Sequence, residues 1–197
     1  MGFIDLFPTS IYNENIQEDS IPSYIEFIKT QSFTGNTVSG YFTENQHILD
    51  ESIFNSLKQI ILKKSLLYLK EIGHKTDSIS ICNSWANLIQ KDQIIPMHDH
   101  ANSYLSGVFY LTKGSNIIFE NHLLKKFLFL LEYFEDINNF RTCKKFPIIP
   151  TPGLLLIFPS WLQHKVITSK ENIDRLSIAF NIIPKGKFGV RTSILNL

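Results

Sequence analysis

Cysteine is scarce in this chain, with only Cys82 and Cys143 among 197 residues, 61 positions apart and in no C-x-x-C pair. That excludes a disulfide framework and a four-cysteine zinc site. An excess of either charge is also missing: Lys and Arg number 19 against 18 Asp and Glu, a net charge of +1. Nothing in that balance argues for a nucleic-acid binder, a polybasic membrane patch or an acidic tail. No apolar stretch reaches ~18 residues without a charge, so no transmembrane helix is expected. The opening Met1-Gly2-Phe3-Ile4-Asp5-Leu6 lacks a basic region before a long apolar run, and Leu6 stands where a myristoylation signal has Ser or Thr. The expectation is a soluble, cytoplasmic protein. Repeats and low-complexity tracts are absent. Arginine is rare, at 3 residues against 16 Lys, so an Arg at an interesting position carries extra weight.

What is present is a hydrophobic fraction of 44% with 13% aromatic residues, which excludes disorder as the main state. A chain of this length forms one domain and buries roughly 70% of its unfolded surface. We read 1–197 as a single domain, with an N-terminal arm and helices over 1–77, a β core over 78–197, and an insertion at about 122–146. Pro22, after Asp19-Ser20, predicts a helix start, with Tyr24, Ile25, Phe27 and Ile28 as its apolar face. Thr34 to Gly40 has loop composition. A second helix is expected from an Asp50 cap to Gly73, with Ile53, Leu57, Ile60, Ile61 and Leu67 at helical spacing. From Ser78 the period changes to two. Strands are expected over 79–89, 104–111, 116–119, 153–158, 163–168 and 175–183, with a last short one around 190–195, separated by Gly- and Pro-rich turns. Short strands without intervening helices predict a mainly β protein, a sandwich or a jelly roll.

Three of the six histidines carry chemistry. His98 and His100 flank Asp99, and on a strand residues i and i+2 share a face, so the two imidazoles project together while Asp99 points away. His164 lies 66 residues further on and must arrive from a different strand. Three protein ligands on one side of a metal leave open coordination positions, which catalysis requires. His47, His74 and His122 fall at expected loops or helix ends and read as structural or solvated.

Arg175 follows His164 by 11 residues and opens a strand in which Arg175, Ser177 and Ala179 share a face. A guanidinium facing inward from an apolar strand is costly unless it meets an anion, and it grips a carboxylate bidentately. A neighbouring hydroxyl, Ser177, adds a third bond.

With these residues the sequence resembles the iron(II)- and 2-oxoglutarate-dependent oxygenases, and within them a subgroup common in marine bacteria and phages. The likeness rests on Ser84-Trp85-Ala86-Asn87, His98-x-His100 leading to Ser106-Gly107-Val108-Phe109-Tyr110, Pro152-Gly153, Phe158-Pro159-Ser160-Trp161-Leu162-x-His164, Arg175-x-Ser177-x-x-Phe180-Asn181, and Leu6-Phe7-Pro8-Thr9. It fails only in the insertion. The resemblance implies a double-stranded β-helix, a cupin-like jelly roll, with the N-terminal helices packed on one sheet. It also implies iron(II) held by His98, His100 and His164, and 2-oxoglutarate as cosubstrate with its distal carboxylate on Arg175 and Ser177. The implied reaction hydroxylates an unactivated C–H bond and releases succinate and CO2.

One departure stands out. The common ligand set is two His and one carboxylate, and His100 occupies the carboxylate position while Asp99 is out of phase. Three His ligands are the expectation; a bulge bringing Asp99 inward, or binding by two His alone, are the alternatives. Tyr104 and Tyr110, on the strand after the pair, are candidates to reach the cosubstrate carboxylate, and Asn87 and Trp85 to line the pocket. Competing functions are a three-His cupin-type dioxygenase not using 2-oxoglutarate, which has no need of Arg175-x-Ser177, and a non-catalytic jelly-roll binder. The substrate, a small molecule or peptide, is not legible. No nucleic acid or membrane partner is expected, and the sequence allows a homodimer.

Overall fold

The computed structural model describes residues 2, 6–76, 78–123, 139, 141, 143–168, 172–188 and 192–197. Most of the expected insertion and the stretch around Val190 lie outside the described residues. Along the chain run β1 (Tyr12–Asn15), α1 (Ile21–Lys29), β2 (Phe33–Asn36), β3 (Gly40–Thr43), α2 (Asn55–Glu71), β4 (Ile79–Ile89), β5 (Ile95–His98), β6 (Leu105–Tyr110) and β7 (Ile117–Glu120). There follow β8 (Lys145–Ile148), β9 (Leu154–Pro159), β10 (His164–Val166), β11 (Arg175–Pro184), β12 (Lys187–Phe188) and β13 (Leu195–Asn196).

The strands form a large sheet in the order β1-β9-β6-β11-β4-β3-β2, a small sheet β5-β10-β7-β8, and a β12-β13 ribbon. From β4 to β11 the chain passes back and forth between the two larger sheets, pairing antiparallel throughout. That is a jelly roll. Alternation along β6, β9 and β11 divides the large sheet into two rows of side chains. One row, including Phe109, Leu155, Ile157, Ile178, Phe180 and Ile182, packs against Tyr24 and Ile28 of α1 and Leu57, Ile61 and Leu69 of α2. Each large apolar side chain buried there contributes about 1.5–3 kcal/mol. The other row, including Val108, Tyr110, Leu154, Leu156 and Phe158, faces Ile117, Phe119 and Ile148 of the small sheet. The helices thus close one face, and the space between the sheets is left for the site. Gly107 is required on this scaffold: a Cβ there would sit 2.3 Å from Phe180 Cζ and 2.6 Å from the Leu156 carbonyl oxygen.

Three local expectations need correcting. Thr34 to Gly40 is a β-hairpin rather than a loop, its turn held by Asn36 Oδ1 accepting from the amides of Val38 and Ser39. Asp50 does not cap α2; it ends a 3-10 turn over Ile48–Asp50 and pairs with Lys58 at 2.6 Å. Leu67, expected on the buried face of α2, is 43% exposed; the buried face runs through Leu57, Ile61, Ser65, Tyr68 and Leu69.

Candidate metal centre and anion pocket

His98 is the last residue of β5, and its register partner across the small sheet is His164, the first residue of β10. The sheet thereby closes the 66-residue gap between them. His100 lies just beyond β5, with its amide donating to the Ser160 carbonyl at 2.9 Å. The three side chains each offer one ligand atom, and these atoms all lie within 4.8 Å of one another. The rings of His100 and His164 are stacked with 17° between their planes. Asp99, between the pair, is exposed and outside this group.

Two of the imidazoles, His100 and His164, are held neutral. Burial, reinforced by the neighbouring His98, pushes His164 down to about 3 and His100 down to about 4. His98 Nδ1 lies 2.8 Å from the Pro96 carbonyl and His164 Nδ1 lies 2.9 Å from the Leu162 carbonyl. A carbonyl only accepts, so each Nδ1 carries the proton and each Nε2 keeps its lone pair for an ion. Phe158 and Phe119 pack on the His164 ring at 4.9 Å and 5.8 Å between centroids.

Across the gap, β11 presents Arg175 and Ser177 from the inner face of the large sheet. Ser177 is flanked in register by Asn87 of β4 and Tyr110 of β6, so the three form one cross-strand row. Arg175 is 2% exposed. Its Nη2 donates to Tyr110 Oη at 3.2 Å, and its guanidinium lies 4.9 Å from the centre of the Tyr110 ring. Among the described residues no carboxylate pairs with it. Among the described residues its Nε is buried without a partner, and so is the hydroxyl of Ser177. A buried guanidinium costs several kcal/mol unless an anion meets it. Two orphaned donors, side by side on one strand face, fit a carboxylate group. Burial raises the Tyr110 phenol above its ordinary value while Arg175 opposes the shift, which keeps it a neutral donor. Trp85 joins the two halves: its Nε1 donates to Asn87 Oδ1 at 3.1 Å, and its ring lies 5.9 Å from that of His100.

The structure therefore gathers His98, His100 and His164 on one side and Arg175, Ser177, Tyr110 and Asn87 on the other. Tyr104 does not join them. It precedes β6, so the alternation of that strand does not reach it; it is 41% exposed and its hydroxyl lies 3.1 Å from both ring nitrogens of His74. His47 is exposed beside Asp50, and His122 packs on Trp161, so neither belongs to the triad. Sequence reasoning missed Gly114: a Cβ there would approach the Arg175 Cβ to 2.7 Å at a φ of +153°, so the loop after β6 hugs the arginine. The turn composition Lys113-Gly114-Ser115 marked a loop but not its contact.

Comparison with known proteins agrees with this geometry. A family model described as "Putative 2OG-Fe(II) oxygenase" matches residues 83–181. Among solved structures, a prolyl-4-hydroxylase of Pseudomonas putida superposes with a TM-score of 0.62 at 11% identity, over 90% of this chain and 94% of that one. HygX of Streptomyces hygroscopicus, bound to nickel, 2-oxoglutarate and hygromycin B, gives 0.61 at 12% identity over 89% and 83%. The non-heme alpha-ketoglutarate-dependent carbocyclase SnoK from nogalamycin biosynthesis gives 0.66 at 10% identity over 90% and 81%. At such identities these structures speak to the fold, the jelly roll derived above. No protein of curated function matches the sequence.

Proposed function

The chain belongs to the 2OG-Fe(II) oxygenase family, and on that premise we propose that His98, His100 and His164 hold the iron, that Arg175 and Ser177 hold the distal carboxylate of 2-oxoglutarate, and that the reaction hydroxylates a C–H bond of the substrate. The observation that carries the reading is the buried Arg175, which has no carboxylate partner among the described residues and stands beside an orphaned Ser177 hydroxyl, opposite three clustered imidazoles. Iron(II) with 2-oxoglutarate and O2 supplies the chemistry: one oxygen atom enters the substrate as a hydroxyl, the other enters succinate, and CO2 leaves.

The chain's own part is binding and orientation. The Nε2 atoms of His98 and His164 are presented by the carbonyls that fix their Nδ1 protons, so no proton has to leave when the ion arrives. Arg175 meets the distal carboxylate with a planar fork that Lys cannot reproduce. Tyr110 braces the guanidinium from below, and Gly114 keeps the facing loop close enough to exclude water from it. Asn87, held by Trp85, stands beside Ser177 at one end of the cross-strand row, where its amide would orient the bound acid. Phe119 and Phe158 pack the back of His164 and fix the ring in place.

Anaerobic reconstitution tests this. Adding iron(II) and 2-oxoglutarate to metal-free protein should produce the weak visible metal-to-ligand charge-transfer band of a chelated 2-oxo acid, and subsequent oxygen should release succinate. Absence of the band with the metal bound would refute the cosubstrate assignment.

A further inference from the structure

His98 and His164 are each locked by the carbonyl two residues earlier, but among the described residues no hydrogen bond reaches the His100 ring. His100 also lies outside regular structure, at the start of a segment in which Asn102 adopts a left-handed φ of +59°. Its place must be set through the backbone, and Ser160 provides the fixing points. The Ser160 carbonyl accepts from the His100 amide at 2.9 Å, and the Ser160 amide donates to the Tyr104 carbonyl at 3.2 Å. The Ser103 hydroxyl reaches the Ser160 hydroxyl at 2.9 Å. One residue thus clips both ends and the middle of the segment 100–104.

Ser160 is itself anchored. Its hydroxyl lies 2.9 Å from that of Ser106, which donates to Asn181 Oδ1 at 2.7 Å. A hydroxyl has one proton, so with the Ser106 proton on Asn181 the Ser160 proton must go to Ser106, and Ser160 accepts from Ser103. The result is a head-to-tail chain, Ser103 to Ser160 to Ser106 to Asn181, ending on the central strands β6 and β11. Ser160, Ser106 and Asn181 are 2%, 1% and 5% exposed. A buried polar chain with every proton used fixes one arrangement, because any rotation leaves an unpaired group in an apolar setting.

We infer that Ser106, Ser160 and Asn181 are the positioning residues for His100, transmitting the rigidity of the large sheet to the third imidazole of the triad. The inference rests on the ligand set proposed above. Removing such outer partners of a ligand weakens metal binding by roughly 10–100-fold.

The test is a double-mutant cycle read by nickel(II) affinity on the purified, metal-stripped full chain. Ser106→Ala should raise the nickel dissociation constant about tenfold or more in the parent. In a His100→Ala background the same change should matter less than about twofold, since the ligand it serves is gone. The visible spectrum of the cobalt(II) form of Ser106→Ala should shift toward that of His100→Ala, a change that general loosening would not give. Equal losses in both backgrounds, or no loss in the parent, would overturn the inference. Should Ser106→Ala fail to fold, as judged by its melting transition, Ser160→Ala and Asn181→Ser carry the same cycle. If His98→Ala binds nickel as tightly as the parent, the ligand set itself is wrong, an outcome separate from an additive cycle.

Discussion

Changing Arg175 to Lys tests the anion pocket with the least disturbance. The charge stays, the apolar stem stays, and what goes is the planar fork. Arg175 presents Nη2 to Tyr110 at 3.2 Å, and among the described residues its Nε has no partner, so the edge carrying Nε is available to a carboxylate. A bidentate contact there comprises two charge-assisted hydrogen bonds. The ammonium of Lys replaces them with a single point contact and also gives up the Tyr110 bond. Losing one charge-assisted bond from the pair costs about 1–3 kcal/mol, which is about 5- to 150-fold in affinity for 2-oxoglutarate. Arg175→Ala should do worse, since it removes the charge and empties a site walled by Gly114 and Tyr110. The assay is succinate formation against 2-oxoglutarate concentration, paired with anaerobic titration of the charge-transfer band. Nickel affinity without cosubstrate should be unchanged in Arg175→Lys, which keeps the charge, and should not fall in Arg175→Ala, which removes a positive charge facing the triad. Equal apparent Michaelis constants for 2-oxoglutarate in parent, Lys and Ala proteins would refute the argument, and Arg175 would then be a structural residue.

Three further outcomes are expected. His98→Ala and His164→Ala should each abolish tight iron binding, while His47→Ala, exposed and outside the triad, should keep the parent's iron stoichiometry. Asp99→Ala should retain iron, and His100→Asp should retain it too by restoring the common two-His-one-carboxylate set; a metal-free Asp99→Ala with a fully loaded His100→Ala would show that the third ligand is Asp99. Acid should destabilise the metal-free protein: with His164 lowered to about 3 and His100 to about 4, the unfolded chain binds protons first, so stability present above pH ~6.5 is lost as pH falls toward those values. A tenfold difference in proton affinity between the folded and unfolded chain is worth roughly 1.4 kcal/mol. The melting temperature should therefore drop clearly between pH 7 and 5, and a His100→Asn, His164→Asn protein should lose that slope; identical slopes would contradict it.

The strands that were legible in the sequence are those whose surroundings are simple. β4, β6, β9 and β11 sit inside the large sheet, with a neighbour on each side, and their runs of alternating or continuous apolar residues announce burial. Most of the strands that were not legible are at edges; β3 is the exception, a four-residue strand between β4 and β2 too short to show a period. β5 and β8 contain Pro96 and Pro147, residues that argue against a strand, and both flank the small sheet, where one side of the backbone needs no partner and a proline is tolerated. β1 and β2, the edges of the large sheet, are short and polar, and read as loop for the same reason. The site follows the same division. Ser177, Tyr110 and Asn87 lie on internal strands, where counting by two is safe. Tyr104 lies one residue before the start of β6, where the alternation no longer holds, and its side chain meets His74 beyond the end of α2. Gly114 and the Ser160 hydroxyl chain depend on loops touching strands distant in sequence, and no local pattern encodes that.

The charge carried by the site also follows from its sequence. With a carboxylate at position 100 a bound divalent ion would have an anion among its ligands; His100 supplies none, and Asp99 is turned out to solvent. Burial holds His100 and His164 neutral, so the triad cannot compensate the ion, and the buried Arg175 adds a positive charge on the opposite wall. Among the described residues no carboxylate belongs to the triad and none pairs with Arg175; Asp99 acts on His100 only from outside the group. Such a site is poor at holding a neutral ligand across both walls and well matched to a dianion, with one carboxylate for the metal side and one for the fork: one charge meets Arg175 and the other offsets half of the ion's. On the ligand set proposed above, His100 in place of the usual carboxylate would shift part of the charge balance from the protein to the cosubstrate.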